Sequence, residues 1–294
     1  MRYEFILKNE AKYPVEKMCK YMNVSKNSFY YWLNNMNTIK IKPSKIILKQ
    51  RITALFFENK QIYGSYRIQK VLERENLFYS RSYVAVLMKE MGLRSILKRK
   101  FVITTNSNHD HLISKNLLNR EFSSLKLGEK WVSDITYIRV GEDWNYLTTI
   151  IDLADRKVVG WALSEDMTTE NTVMKAWLEA RKNRSIISGF IFHSDRGVQY
   201  ASNKTVNLLS FNTKANQSMS RKGNCWDNAI AESFFKTIKY EWLLRFKYKN
   251  YNELYQSIEE YITWYNTKRL HSSLEYLSPL EKEMEIRKIK NKAA

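Results

Sequence analysis

Between Trp131 and Leu163, three strand-like runs follow one another with only hairpin-sized gaps. Trp131 to Arg139 alternates around a polar interior position, Trp144 to Leu153 is a longer apolar run, and Val158 to Leu163 is a third. Gly141-Glu142-Asp143 and Ala154-Asp155-Arg156 supply the turns, so the three read as an antiparallel meander. Thr169 to Lys182 then takes helical spacing, with Val173, Ala176, Trp177 and Ala180 on one face. Gly189 to Phe192 reads as a fourth strand, Ser202 to Phe211 as a helix, and Lys214 to Met219 as a fifth strand.

Meander, helix, strand, helix, strand is the element order of an α/β RNase H-like fold. Three acids fall at informative places along it. Asp134 lies inside the first strand, where Asp has low propensity and packing gives it nothing. Asp195 follows the fourth strand in His193-Ser194-Asp195-Arg196-Gly197-Val198-Gln199-Tyr200; alone, it reads equally well as a turn acid before Gly. Glu232 lies on the helical stretch Asn228 to Leu244 and shares a face with Lys236 and Lys239, a pattern a solvated Glu–Lys ladder also produces. Three carboxylates from a strand, a strand end and a helix suit a pair of hard divalent ions, because Mg²⁺ prefers oxygen ligands. Two such ions about 4 Å apart can serve an in-line displacement at a phosphodiester. Lys236 and Lys239 would then hold the DNA backbone, and His193 and Gln199 would support the site or touch DNA.

A polyanionic partner is also what the charge demands. Lys+Arg number 49 against 30 Asp+Glu, a net charge of +19. Residues 1–125 hold 23 basic and 9 acidic residues and the remainder 26 and 21, so the front part reads as a binding arm. There, Val15–Met22 and Ser25–Asn34 have helix-turn-helix spacing. Three further helices follow: one from Ser44 to about Asn59, then Ser65–Glu75 and Arg81–Met91. Ile68 and Leu72 face inward on the second, and Tyr83, Leu87 and Met91 on the third. Arg67 on this unit, and Arg99 and Lys100 in the basic run behind it, are expected DNA contacts. The polar stretch from Thr104 reads as a linker, and His109-Asp110-His111 within it as a solvated loop. Boundaries follow at 1–40, 41–103, 104–125, 126–245 and 246–294, the last a helical extension beginning with a long helix from Asn250 to Lys268. Cys19 and Cys225 are too few and too far apart for a disulfide framework or a Cys-rich zinc site. With no run of about 18 apolar residues, the chain is expected to be soluble and cytoplasmic.

Several motifs in order make the reading specific. Trp131-Val132-Ser133-Asp134-Ile135-Thr136-Tyr137, the His193 stretch, Ser218-Met219-Ser220-Arg221-Lys222-Gly223-Asn224, Asp227-Asn228-Ala229 and Glu232-Ser233-Phe234-Phe235-Lys236-Thr237 together resemble one family. It is the bacterial insertion-sequence transposases of the IS-three type, in particular their second-frame (OrfB) product with a retroviral-integrase-like DDE core. Tyr63-Gly64-Ser65-Tyr66-Arg67-Ile68 resembles its helical DNA-binding segment, and Tyr261 to Asn266, Arg269, His271-Ser272-Ser273-Leu274 and Ser278-Pro279 its C-terminal signature.

The resemblance implies that Asp134, Asp195 and Glu232 are the catalytic acids and metal ligands, with Lys239 as the family's basic residue two turns after the Glu. Lys236, Arg221, Lys222 and Asn228 are expected on DNA. It implies metal-dependent strand cleavage and strand transfer at the element's terminal inverted repeats and into target DNA, with two Mg²⁺ ions for which Mn²⁺ can substitute. It further implies a homo-oligomer in the synaptic complex and fusion to, or partnership with, a first-frame (OrfA) protein. Two departures stand out. Asp195 and Glu232 are separated by 36 residues, one more than is typical, an excess best absorbed near Asn212 to Asn216; and Asn224-Cys225-Trp226 stands where a Pro and an aromatic are more usual. A non-catalytic DNA-binding regulator or inactive relative, and an RNase H-class nuclease, are the alternatives.

Overall fold

Two groups of three helices open the chain in the computed structural model, which describes residues 2–36, 43–96, 113–213, 215–222 and 224–293. In the first group, α1 (Arg2–Asn9), α2 (Val15–Tyr21) and α3 (Lys26–Met36) close over Ile6, Met18, Cys19 and Phe29. The sequence pattern marks α2 and α3 but not α1, whose single buried side chain, Ile6, sets up no period. The second group, α4 (Pro43–Glu58), α5 (Ser65–Arg74) and α6 (Arg81–Glu90), buries Leu48, Ile52, Leu55, Ile68, Leu72 and Leu87. The inward stripe of α6 is Val84, Leu87 and Met88, while Tyr83 stays exposed and Met91 half-buried. Both stripes have helical spacing and share Leu87, so spacing alone does not choose between them. Residues Met1–Lys60 and Gly64–Arg94 form one compact unit; Gln61–Tyr63 and Ser95–Ala294 form the other.

The second unit is built on a five-stranded sheet. β1 (Lys130–Val140), β2 (Asp143–Asp152) and β3 (Val158–Ser164) make the antiparallel meander. A turn of π-helix at Glu170–Met174 runs into α7 (Lys175–Asn183), and β4 (Ile191–Ser194) then returns parallel to β1. After α8 (Val198–Ala201) and α9 (Asn203–Thr213), β5 (Asn216–Met219) pairs parallel to β4, giving the order β3-β2-β1-β4-β5. β4 lies two residues later than the apolar run suggests. Phe190 is fully buried but precedes the ladder, since apolarity records burial rather than pairing. Asp195 therefore follows directly on the last residue of β4.

α7 packs on β2 and β3, and Gly160 of β3 sits under it: a Cβ there would lie 2.2 Å from the Ala176 carbonyl oxygen. Trp131, Trp177, Phe190 and Phe192 fill this side, Trp131 meeting Phe190 edge-on at 4.9 Å between centroids. Strand side chains alternate, so Trp131 on the α7 side sends Asp134 to the opposite face. There α10 (Ala229–Glu241) packs on β1 and β2.

α11 (Tyr251–Thr267) and α12 (Pro279–Ala293) complete the unit. Asn250 caps α11 through its side chain, which accepts from Glu253 N, while the Glu253 carboxylate accepts from Lys249 N. Two buried ionic clusters anchor these helices. Glu241, at the end of α10, takes a two-pronged bond from Arg269 (2.6 and 2.7 Å) and a third from the Tyr261 hydroxyl (2.8 Å). Arg184, after α7, donates to Asp152 at 2.8 Å and forms ion pairs with Asp155 at 2.7 Å and Glu283 of α12 at 2.9 Å. Burial pushes the Asp155 carboxyl up to about 6, against the lowering effect of Arg184. Removing one partner of such a buried pair strands the other charge without solvent. Arg269→Met is expected to lower the unfolding free energy by about 3–5 kcal/mol in urea titrations, with part of the loss recovered when Glu241→Gln is added.

Candidate active site

Asp134 occupies the middle of β1, opposite Thr149 of β2. The β1–β4 pairing ends at Val132 and His193, so β1, still paired with β2, has no strand on its β4 side past the point where β4 gives way to Asp195. The two acids therefore lie side by side at the open end of the parallel pair. Asp134 is half-buried and accepts from Ile135 N at 2.9 Å; Asp195 accepts from Gly197 N at 2.9 Å. Gly197 leaves room for that carboxylate, since a Cβ there would stand 3.1 Å from Asp195 Oδ1.

Glu232 sits in the first turn of α10, where the helix dipole favours a negative charge. Ala231, Phe234, Phe235 and Ile238 are buried, while Glu232 and Lys236 are exposed on another face with Lys239 half-buried at its edge. Burial pushes the Asp134 carboxyl well above the usual carboxylate range, and the charges of Asp195 and Glu232 add to the rise. Glu232 is raised by burial and then by Asp195. Lys239 is lowered by burial, against the opposing pull of Asp134. The three acids and Lys239 thus share one electrostatic neighbourhood. Among the described residues, no three His, Cys, Asp or Glu side chains stand as a closed metal-holding cluster.

The flanking residues form the scaffold. Asn228, expected on DNA, is buried; its amide donates to the Ser133 carbonyl at 3.0 Å, just beyond the end of the β1–β4 ladder, and its Oδ1 has no hydrogen-bond partner among the described residues. It ties the start of α10 to β1 beside Asp134. Arg221 keeps half its surface exposed but forks onto Asp227 with bonds of 2.9 and 2.8 Å. Asp227 also accepts from Arg120 and Asn116, within the stretch read as a linker, and Arg221 foremost holds its carboxyl far below the usual range. Lys222 and Lys236 are exposed. His193 is fully buried, with Nδ1 2.8 Å from Ser218 Oγ and Nε2 3.3 Å from Ser220 Oγ. Gln199 is buried and donates to the Met167 carbonyl at 3.1 Å. Both side chains are thus buried and hydrogen-bonded within the unit.

Arg67 lies half-buried on α5, in the other unit, while Arg99, Lys100, His109, Asp110 and His111 fall outside the described residues. Sequence reasoning missed the clamp on Asp227. An acid just before a helix reads as a cap, yet no side chain caps α10 at Asn228, and only the tertiary contacts give Asp227 its partners.

The integrase core domain family matches residues 125–225 and, by a second description of that domain, residues 213–279; an HTH-like domain matches residues 44–101. The chain is 38% identical over 263 residues to the insertion element IS600 uncharacterized 31 kDa protein of Shigella sonnei, covering 89% of this chain and 96% of that one. It is 32% identical over 286 residues to the transposase InsF for insertion sequence IS3A of Escherichia coli (strain K12), covering 95% and 97%. The transposase for insertion sequence element IS904 of Lactococcus lactis is 39% identical over 245 residues, covering 83% and 96%. Among solved structures, the HTLV-2 integrase catalytic core domain in complex with magnesium matches with a TM-score of 0.41 and 15% identity, over 52% of this chain and 95% of that one.

Two stability effects follow from the charges. Burial holds His193 at about 4, below its ordinary 6.5, so unfolding takes up a proton between those values. Its contribution is complete above pH 6.5 and is lost as pH falls toward 4, by about 3 kcal/mol; His193→Asn is expected to flatten the urea midpoint over that window. Asp134 has the opposite sign: its raised pKa makes the ionised form a cost to the fold at neutral pH. Asp134→Asn is expected to raise Tm in calorimetry at pH 7 in chelator-treated buffer.

Proposed function

This chain belongs to the IS3 family of insertion-sequence transposases and carries an integrase core, and on that premise we propose that the core cleaves and joins DNA strands with the help of divalent metal ions. The observation that carries the reading is the convergence of Asp134, Asp195 and Glu232 from β1, the end of β4 and the start of α10, with Lys239 beside them. Like charges brought together without benefit raise one another's pKa and destabilise the fold. An idle site has no reason to keep them.

The donor set fits hard cations. All three groups offer carboxylate oxygens, the donors Mg²⁺ prefers, and a bound cation would relieve the repulsion that raises Asp134 and Glu232. Asp134, Asp195 and Glu232 would hold two such ions, with Mn²⁺ able to substitute for Mg²⁺. When bound, they supply an activated hydroxyl and stabilise the leaving oxygen. The chain's own part is placement. The Asn228 tie and the Asp227 clamp fix where α10 begins, and so where Glu232 stands relative to Asp134. Lys239 offers an ammonium to a phosphate oxygen near Asp134, and Lys236 and Lys222 neutralise phosphates farther out.

Water, and then a DNA 3′-hydroxyl, would attack the phosphodiester phosphorus without a covalent protein intermediate. The HTH-like helices of residues 44–96 would select the element's ends, and joining two ends calls for at least two protomers. The test is Mg²⁺- or Mn²⁺-dependent cleavage and joining of terminal-repeat DNA. Glu232→Gln is expected to cut both by about a hundredfold or more, since even partners of a metal ligand cost 10–100-fold. Equal activity in that variant would overturn the reading, and end binding without any strand cleavage by the wild type would favour a non-catalytic regulator.

A further inference from the structure

Opposite its buried stripe of Val84, Leu87 and Met88, α6 shows Arg81, Ser82, Val86 and Lys89 to solvent, with Ala85 half-buried among them. Helical spacing puts these positions on one face, and none of them is an acid. Val86 keeps 52% of its surface exposed although it lies in mid-helix. The Arg81 guanidinium lies 4.0 Å above the Tyr66 ring of α5 and donates through Nη1 to the Tyr66 hydroxyl at 3.3 Å. Its Nε and Nη2 make no hydrogen bond among the described residues.

The acids of residues 43–94 are engaged elsewhere. Glu58 and Glu75 pair with Arg51, Glu73 with Lys70, and Glu90 with Lys45 and Lys49. The Glu90 pairs also fasten the end of α6 to α4. Residues 44–101 match an HTH-like domain, and in a helix-turn-helix the second helix of the pair lies in the major groove with its first residues at base edges. α5 and α6 pack together as such a pair.

We propose that α6 reads bases of the element's terminal repeat, Arg81 taking a guanine and Val86 the methyl group of a thymine, with Tyr66 as the positioning residue that holds the Arg81 fork. This rests on the end selection proposed above for the HTH-like helices and adds which side chains carry it. A guanidinium offers two parallel N–H donors, which match guanine O6 and N7, while an apolar side chain suits the thymine C5-methyl. Ser82 and Ala85 are short, so they let the helix backbone approach the groove floor. Arg81 and Val86 lie about 7.5 Å apart along the helix axis, so the bases they read fall within the same few base pairs.

The experiment uses the full chain in chelator-treated buffer, so that no strand is cut. Its probes are a duplex carrying the terminal repeat, the same duplex with each base pair exchanged in turn, and a scrambled duplex of equal composition. The wild type is expected to prefer the repeat. Arg81→Ala is expected to weaken repeat binding by about tenfold, against about five- to 150-fold for a bidentate base contact, and to leave scrambled binding within about twofold. It is also expected to become indifferent to exchange at one G·C pair to which the wild type responds. Arg81→Lys keeps the charge but not the fork, and is expected to lose nearly as much. Val86→Ala is expected to relax selection at a T·A pair. Tyr66→Ala is expected to relax it at the Arg81 pair, with recovery in Tyr66→Phe, whereas Lys89→Ala is expected to weaken both duplexes alike.

An undiminished preference in Arg81→Ala or equal loss on both duplexes would overturn the assignment. Wild-type repeat binding in Arg81→Lys would overturn it too, by making Arg81 a phosphate contact. A change of oligomeric state in Val86→Ala with repeat binding intact would give the face to a second copy of the chain, against the proposal. A wild type that binds both duplexes alike would overturn end selection by these helices altogether. Glu232→Gln is expected to keep the preference, so a failure of the catalytic reading registers in cleavage and a failure of base reading by α6 in binding.

Discussion

Mutual repulsion among three carboxylates is the constraint to which the rest of the second unit answers. Left to solvent, Asp134, Asp195 and Glu232 would move apart, because each raises the cost of ionising another. They stay together because none is on a segment free to move. Asp134 is fixed by pairing with Thr149 in the central strand, and Asp195 by the end of β4 and the Gly197 amide. Glu232 is held by α10, whose start is tied to Ser133 through Asn228. Asp227, one residue earlier, gathers Arg221, Arg120 and Asn116 into a clamp on the loop that leads into the helix.

The far end of α10 is fixed by other means. Glu241 is buried and would be intolerable there without Arg269 and Tyr261, so the chain after α11 must return to meet it. The C-terminal motif from Tyr261 to His271 thereby has a physical meaning that its resemblance alone does not supply. It braces the helix that carries Glu232 and Lys239. Arg184 does the same for α12, joining Glu283 to Asp152 and Asp155. Such pairs contribute little net stability, since desolvation offsets most of the attraction, but they leave few alternative packings.

Much of this was legible in the chain. Alternation around Asp134, the turns at Gly141 and Ala154, and the helical spacing of Thr169 to Lys182 predict the meander and its covering helix, because period and turn chemistry are local properties. The same locality misleads where burial and pairing part. Phe190 looks like strand but precedes the β1–β4 ladder, and Tyr83 fits a helical stripe yet stays exposed. Asn228 and Arg221 have the side chains of DNA contacts; within the fold Asn228 also donates to Ser133 and Arg221 also forks onto Asp227. Nothing within a few residues of either announces the partner.

By itself, then, the sequence determined the order and type of the elements of the second unit's sheet, the basic character of the front part, and that an acid at Asp134 is out of place inside a strand, since each depends only on neighbours along the chain. Asp195 and Glu232 stand out only through the family motifs. Only the tertiary structure decided what surrounds those acids. It buried His193 as a neutral hydrogen-bonding partner of Ser218 and Ser220, set Lys239 against Asp134, and left Tyr137 and Trp144 exposed on a hairpin that outruns β4. Those are contacts between residues tens of positions apart, or exposures that exist because a neighbouring strand stops short. Burial and electrostatic environment are properties of the assembled sheet, and no window of sequence contains them.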